Sequence, residues 1–154
     1  MVCTFFWVDA ARARARQVQL TPDDVRIWDR MLARNLTVPH RRVCVTHRPD
    51  LINFMETAPL DMGKHVPGTC LVKLQAHKIG GVAKEGDRGL LMDVDCMVTG
   101  SLAPLAERGE AFVGWKNPNY SAGGRRGFIQ GSMQLFTVGA TECLWVDFDE
   151  RAVA

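Results

Sequence analysis

Two carboxylates, Asp93 and Asp95, stand one residue apart directly after the apolar run Leu90-Leu91-Met92. That run is short, uncharged and preceded by the turn-like Gly86-Asp87-Arg88-Gly89, so it reads as a buried strand. In open α/β sheets, ligands bind at the carboxyl ends of the strands. Residues two apart on an extended segment share a face, which places both carboxylates on one ligand. Two anions that close need a cation between them or a shifted pKa. A divalent Mg²⁺ or Mn²⁺ ion holding a phosphate supplies that cation, because such hard sites combine one or two carboxylates with substrate oxygens. A bare Asp-x-Asp is more often a solvated loop pair, so its surroundings have to carry the argument.

Those surroundings alternate between strands and helices. Val2 to Val8 is apolar apart from Thr4 and ends at Asp9, as a strand buried on both faces would. Thr21 is a strong N-cap, with Pro22 at the first helical position and acids in the first turn. Val25, Trp28, Met31, Leu32 and Leu36 then recur at three- and four-residue steps, giving one apolar stripe. Val43 to Thr46 reads as a second strand and Pro49-Asp50 as the start of a loop. The region from Ile52 to Gly68 is irregular, with a short strand near Ala58-Pro59-Leu60. A helix is expected from Thr69 to Ile79, stopped by Gly80-Gly81. After the paired acids, Val98 to Leu102 reads as a short apolar piece and a turn, with Ser101 as N-cap of a helix over Ala103 to Arg108 that ends before Gly109. Ala111 to Trp115 is a strand, Pro118 to Gly127 a mobile loop, Phe128 to Val138 a strand, and Thr141 to Phe148 a helix packing Leu144, Trp145 and Phe148. This alternation predicts an α/β fold with a mostly parallel sheet flanked by helices.

At Leu90 to Leu102 the chain resembles the nucleotide-diphospho-sugar glycosyltransferases of the GT-A fold, most closely the family-eight-like enzymes of bacterial and phage type. It matches their pattern of strand, Asp-x-Asp and Gly-Ser-Leu. The likeness continues in order along the chain. Phe5-Phe6-Trp7-Val8 resembles the first strand, and Asn35-Leu36 with Pro39-His40-Arg41 and Val43-Cys44-Val45-Thr46 resembles the approach to the second. Leu71-Val72-Lys73-Leu74 is similar to the helix before the metal motif. Gln130-Gly131-Ser132-Met133 resembles a later strand, with Gln130 where Asn is usual.

The resemblance implies a GT-A-like (Rossmann-like) domain over residues 1–154 that moves a sugar from a nucleotide-diphosphate donor, a UDP-sugar first of all, to an unknown acceptor. It implies Mn²⁺ or Mg²⁺ held by Asp93 and Asp95, and substrate contacts at Asp9, Lys73, Asp93, Val94, Gln130 and Ser132. Lys73 either reaches the diphosphate from its helix or stands as a surface lysine. Because Ala154 precedes the acceptor-side half of the family, a C-terminally truncated domain is expected. A non-catalytic nucleotide-binding relative is the alternative. No catalytic base is identified, which leaves retention or inversion open.

A haloacid-dehalogenase-type phosphatase also places Asp-x-Asp after an apolar strand, but on the first strand of its domain and usually followed by Gly, where Cys96 stands here. An EF-hand loop beginning at Asp93 fails, since Val98 occupies its Gly position and Pro104 its closing Glu. Arg12, Arg14, Arg16, Arg125 and Arg126 read as a solvated basic edge before they read as phosphate contacts. A net charge of +2 gives no general attraction to nucleic acid or anionic membranes. His40, His47, His65 and His77 show no ligand spacing. The five cysteines are scattered, without a Cys-x-x-Cys, and suit reduced thiols. No run is long enough to span a bilayer and Val2 to Val8 lacks a basic leader. A cytoplasmic enzyme without nucleic-acid partners is therefore expected. At 154 residues, 47% hydrophobic and 23% charged, one domain can bury about 70% of its unfolded surface.

Overall fold

Capping chemistry sets the principal helix. Thr21 is extended, its Oγ1 accepts from the Asp24 N–H at 3.4 Å, and Asp24 Oδ2 accepts from the Thr21 N–H at 2.6 Å. This reciprocal box, with Pro22 at the first turn, starts α1 (Pro22–Asn35). Val25, Trp28 and Leu32 form its buried stripe.

The computed structural model describes residues 1–6, 19–61, 70–116, 121–122, 125–126 and 129–147. The remaining strands are β1 (Val2–Phe6), β2 (Arg42–Thr46), β3 (Glu56–Pro59), β4 (Arg88–Met92), β5 (Phe112–Lys116), β6 (Ser121–Ala122), β7 (Arg125–Arg126) and β8 (Ile129–Thr137). Two short helices, α2 (Ala103–Ala106) and α3 (Cys143–Val146), and 3₁₀ turns at Pro49–Leu51 and Cys70–His77 make up the other elements among the described residues. Six strands form one sheet in the order β3-β2-β1-β4-β8-β5. The first four are mutually parallel, and β8 runs antiparallel to both β4 and β5. The fold is thus α/β with a mostly parallel sheet, as the alternation of elements predicts.

Both sheet faces are covered, which explains the unbroken apolar runs of β1 and β4. On one face Val2, Phe6, Leu90, Met92 and Leu135 pack beneath Val25, Trp28 and Leu32 of α1. On the other, Cys3, Phe5, Leu91 and Phe136 meet Val72 and Ala76 of the second 3₁₀ segment. Burial pushes the free thiols of Cys3 and Cys44 up to about 12, so neither is a nucleophile.

Several local expectations change. Residues 70–77 form a 3₁₀ helix where an ordinary helix is expected over Thr69 to Ile79. Tertiary anchors hold this turn tight: the Gln75 side chain donates to the Pro59 carbonyl and accepts from the Asp61 N–H, and His77 is buried between Thr141 and Gln134. It ends at His77, three residues before Gly80, whose φ of +70° suits glycine. The helix after Ser101 has Leu102, not Ser101, at its N-cap and ends at Ala106 instead of Arg108; Ser101 Oγ accepts from the Ala103 N–H at 3.2 Å from one position further out. The expected loop of 118–127 contains the β6–β7 pair. The C-terminal helix is only α3, with Trp145 buried and Leu144 exposed. Trp7, Val8, Asp9, the Ala10–Arg16 stretch, His65 and Phe148 lie outside the described residues.

Gly89 shows how closely β4 is packed. It opposes Phe136 in register, and a Cβ at Gly89 would lie 2.5 Å from that fully buried ring, which itself rests on His77. Gly89→Ala should therefore destabilise the fold by about 1–3 kcal/mol through overpacking. Urea unfolding would measure this, and an unchanged midpoint would show that the ring moves freely.

Candidate active site

The chain winds outward from β1 to β2 and β3, then returns to lay β4 against the other side of β1. The carboxyl ends of β1 and β4 therefore flank a topological switch point, where open α/β sheets leave a crevice. Met92 is the last residue of β4 and pairs with Met133. The Asp93 N–H still donates to the Ser132 carbonyl at 2.8 Å, after which the chain turns, with the Cys96 N–H donating to the Asp93 carbonyl at 3.1 Å.

The two carboxylates thus sit in a tight turn, not on the extended segment that the spacing suggests. Their surroundings differ. The Asp93 side chain is 19% exposed and forms an ion pair with Lys73 Nζ. Burial raises its pKa above the ordinary carboxylate value; Lys73 opposes that shift and the Asp95 charge adds to it. Asp95 is exposed. Cys96 has its thiol raised by burial and by both carboxylates, and its Sγ lies 3.5 Å from the Ser132 carbonyl. A thiol held in that way packs and does not attack.

Of the sequence-derived candidates, Lys73, Asp93, Asp95 and Ser132 come together here. Lys73 is no free surface lysine: it is 16% exposed and engaged. Val94 is 5% exposed, with its side chain in the α1 core, which leaves only its backbone for a ligand. Gln130 lies on β8 opposite Trp115, and its side chain is outside the described set. Asp9 also falls outside the described residues.

Asn35 has a role that its position at the helix end does not reveal. Its side chain donates to the Met31 carbonyl at 2.9 Å and to the Val98 carbonyl at 3.4 Å, and its own carbonyl accepts from the Leu102 N–H at 2.8 Å. The loop that follows the acids is thereby tied to α1. Between that loop, β8 and β5 opens a cleft of about 660 Å³ that includes Asp95, Ser132 and Trp115. A narrower groove of about 180 Å³ separates the turn from Leu20, Asp24 and Ile27.

The overall architecture is similar to that of a galactosyltransferase, LgtC, solved in complex with donor and acceptor sugar analogs. The TM-score is 0.57 at 12% identity, over 97% of this chain and 60% of that one. The chain shares a glycosyltransferase-like fold. It spans about three fifths of that structure's length. No protein-family profile matches the chain, and neither does any curated protein sequence. No helix among the described residues is long and apolar enough to cross a membrane.

Lys73 can be tested without knowing the ligand. Lys73→Met removes the cation beside a largely buried carboxylate, which should cost about 1–3 kcal/mol at neutral pH. The Asp93 pKa, already raised, rises further. A group whose folded pKa lies above its unfolded value binds its proton more tightly when folded. The loss should therefore shrink as pH falls from neutrality toward the ordinary value of 3.8. Asp93→Asn in the same chain should recover most of it. Urea melts at neutral and acid pH would show this, and a pH-independent loss would mean that Lys73 acts only through packing.

Proposed function

We propose that the chain is the nucleotide-sugar-binding domain of a glycosyltransferase that moves a sugar from a nucleoside-diphosphate donor, first of all a UDP-sugar, to an acceptor. The observation that carries this reading is the position of Asp93 and Asp95. They occupy a turn at the carboxyl end of β4, beside the switch point of a sheet similar to that of a galactosyltransferase. The motif strand is the last of the four parallel strands in chain order, whereas the phosphatase arrangement would place it first.

The donor atoms suit a hard divalent cation of the Mg²⁺ or Mn²⁺ kind, since they are carboxylate oxygens. Among the described residues no third His, Cys, Asp or Glu joins them. Substrate phosphate oxygens and water would complete the set, as is usual for Mg²⁺. Asp95, exposed in the turn, would be the principal ligand, and Asp93 would assist. When bound, the cation supplies Lewis-acid neutralisation of the departing diphosphate.

The remaining chemistry belongs to the chain. Lys73 keeps a positive charge beside the turn, where it offsets Asp93 and would attract an incoming diphosphate. The Ser132 carbonyl fixes the backbone at Asp93, so the carboxylates are positioned before the donor arrives. Asp9, Val94 through its backbone, Gln130 and Ser132 are the further residues assigned to the donor in this reading.

Calorimetric titration with UDP, GDP and their sugar conjugates, each with and without Mn²⁺, tests the proposal. Metal-dependent binding of one nucleotide class is expected. Affinity that is absent throughout, or indifferent to a chelator, would remove it.

A further inference from the structure

His77 is fully buried although it is polar. Such a ring is costly to bury unless its nitrogens find partners. Both do: Nδ1 meets Thr141 Oγ1 at 2.9 Å and Nε2 meets Gln134 Oε1 at 3.1 Å. The imidazole also contacts the Phe136 ring, with 4.3 Å between centroids. An apolar side chain would fill this space without needing partners; what the imidazole adds is a fixed position, because a satisfied buried network is rigid. What it fixes is the second 3₁₀ segment. Eight residues is long for a 3₁₀ helix, whose own hydrogen bonds are poor beyond three or four residues. Contacts with the rest of the fold must hold it, and they do so on two sides: Gln75 at Pro59 and Asp61, and His77 at β8.

The same strand sets the place of Asp93. Lys73 and His77 are separated by ~8 Å along the segment, at about 2.0 Å per residue. Ser132 and Gln134 are separated by ~7 Å along β8. These two spans run side by side. Lys73 pairs with Asp93, whose N–H is held by the Ser132 carbonyl, and His77 meets Gln134. Gln134 is a firm reference, since it pairs with Leu91 on one side and Gly114 on the other. Nearer the turn that double support ends: the next residue of β5, Trp115, opposes Gln130. Both partners of the Lys73–Asp93 pair are thus placed from one strand. Resting on the nucleotide-sugar reading above, we propose that His77 is a positioning residue for the donor: by tying the 3₁₀ segment to Gln134, it keeps Lys73 beside the turn, where the ammonium meets the diphosphate. The imidazole, fully buried, touches no ligand and acts through Lys73.

Two readouts on the full chain test this, one of them independent of any ligand. The first is acetylation of Lys73 by sub-stoichiometric acetic anhydride, located by mass spectrometry, with the exposed Lys84 and Lys116 as internal references. Lys73, 16% exposed in its ion pair, should be protected in the wild type. His77→Phe keeps an aromatic ring and removes both polar contacts, so it should raise Lys73 labelling relative to the references. The second readout is UDP affinity with Mn²⁺, which should fall roughly 2–30-fold in that variant. In a Lys73→Met background the same change should weaken UDP no further, because the route through Lys73 is gone. His77→Gln carries its amide to the Gln134 side and should restore most of both readouts. His77→Asn reaches only the Thr141 side and should not. If the phenylalanine variant does not fold, the glutamine and asparagine variants give the comparison. The proposal is overturned if Lys73 labelling is unchanged, or if the loss of affinity persists in the Lys73→Met background, which would make His77 a general support of the fold. Metal-dependent UDP binding that His77→Phe leaves intact sinks the positioning role alone. A wild type that binds no nucleotide sinks the nucleotide-sugar reading and the donor role with it, while the labelling still decides whether His77 places Lys73.

Discussion

On the nucleotide-sugar reading proposed above, Asp95→Asn should abolish the Mn²⁺-dependent part of UDP affinity and leave the fold intact. The substitution keeps shape and removes the anion. Losing even an outer-shell partner of a metal ligand costs about 10–100-fold in affinity, so loss of an exposed ligand carboxylate should reach at least the upper end of that range. Stability should hardly change, because Asp95 is exposed in the turn and lies outside both cores. Removing its charge also relieves the repulsion it exerts on Asp93, which favours the folded state without ligand. Thermal melts with UDP, with Mn²⁺ and with both separate the two effects. A variant that still shows a wild-type shift with UDP and Mn²⁺ together would place the metal elsewhere. Asp93→Asn should be milder in binding, since that carboxylate is already engaged by Lys73.

Trp28→Ala should come close to unfolding the protein. Trp28 is fully buried on α1, in the cluster that joins the helix to β1 and β4. Truncations of this size cost about 3–5 kcal/mol, through lost transfer energy and the cavity left behind. Small domains have only about 5–15 kcal/mol in total. Trp28→Phe should be much less harmful than the change in volume suggests. The indole Nε1 has no hydrogen-bond partner among the described residues, so phenylalanine removes a buried donor that is already unsatisfied. Urea unfolding of both variants gives the comparison. If the phenylalanine variant lost as much as the alanine variant, the indole nitrogen would have a partner that the geometry does not reveal.

What the sequence determined by itself was local or periodic. The Thr21–Asp24 box and the stripe of Val25, Trp28 and Leu32 define α1 because capping and helical faces act within one or two turns. The apolar runs at Val2–Phe6, Val43–Thr46 and Leu90–Met92 declare strands covered on both faces, and their alternation with helices implies the parallel sheet. The place of the acids at the carboxyl end of a strand is legible because the apolar run stops at Met92.

Tertiary structure alone decided the character of the site. Asp93 and Asp95 have similar sequence environments, yet one is largely buried against Lys73 and the other exposed. That difference depends on where the 3₁₀ segment packs, and so on Gln75 reaching Pro59 and Asp61. The same anchors override the helical reading of that segment. Trp115 reads as an ordinary strand residue until the break in pairing with β8 aims it into the cleft, and Asn35 reads as a helix end until it ties down the loop after the acids. Burial, charge pairing and strand register are set between residues far apart in the chain, and no local pattern encodes which distant partner a side chain will meet.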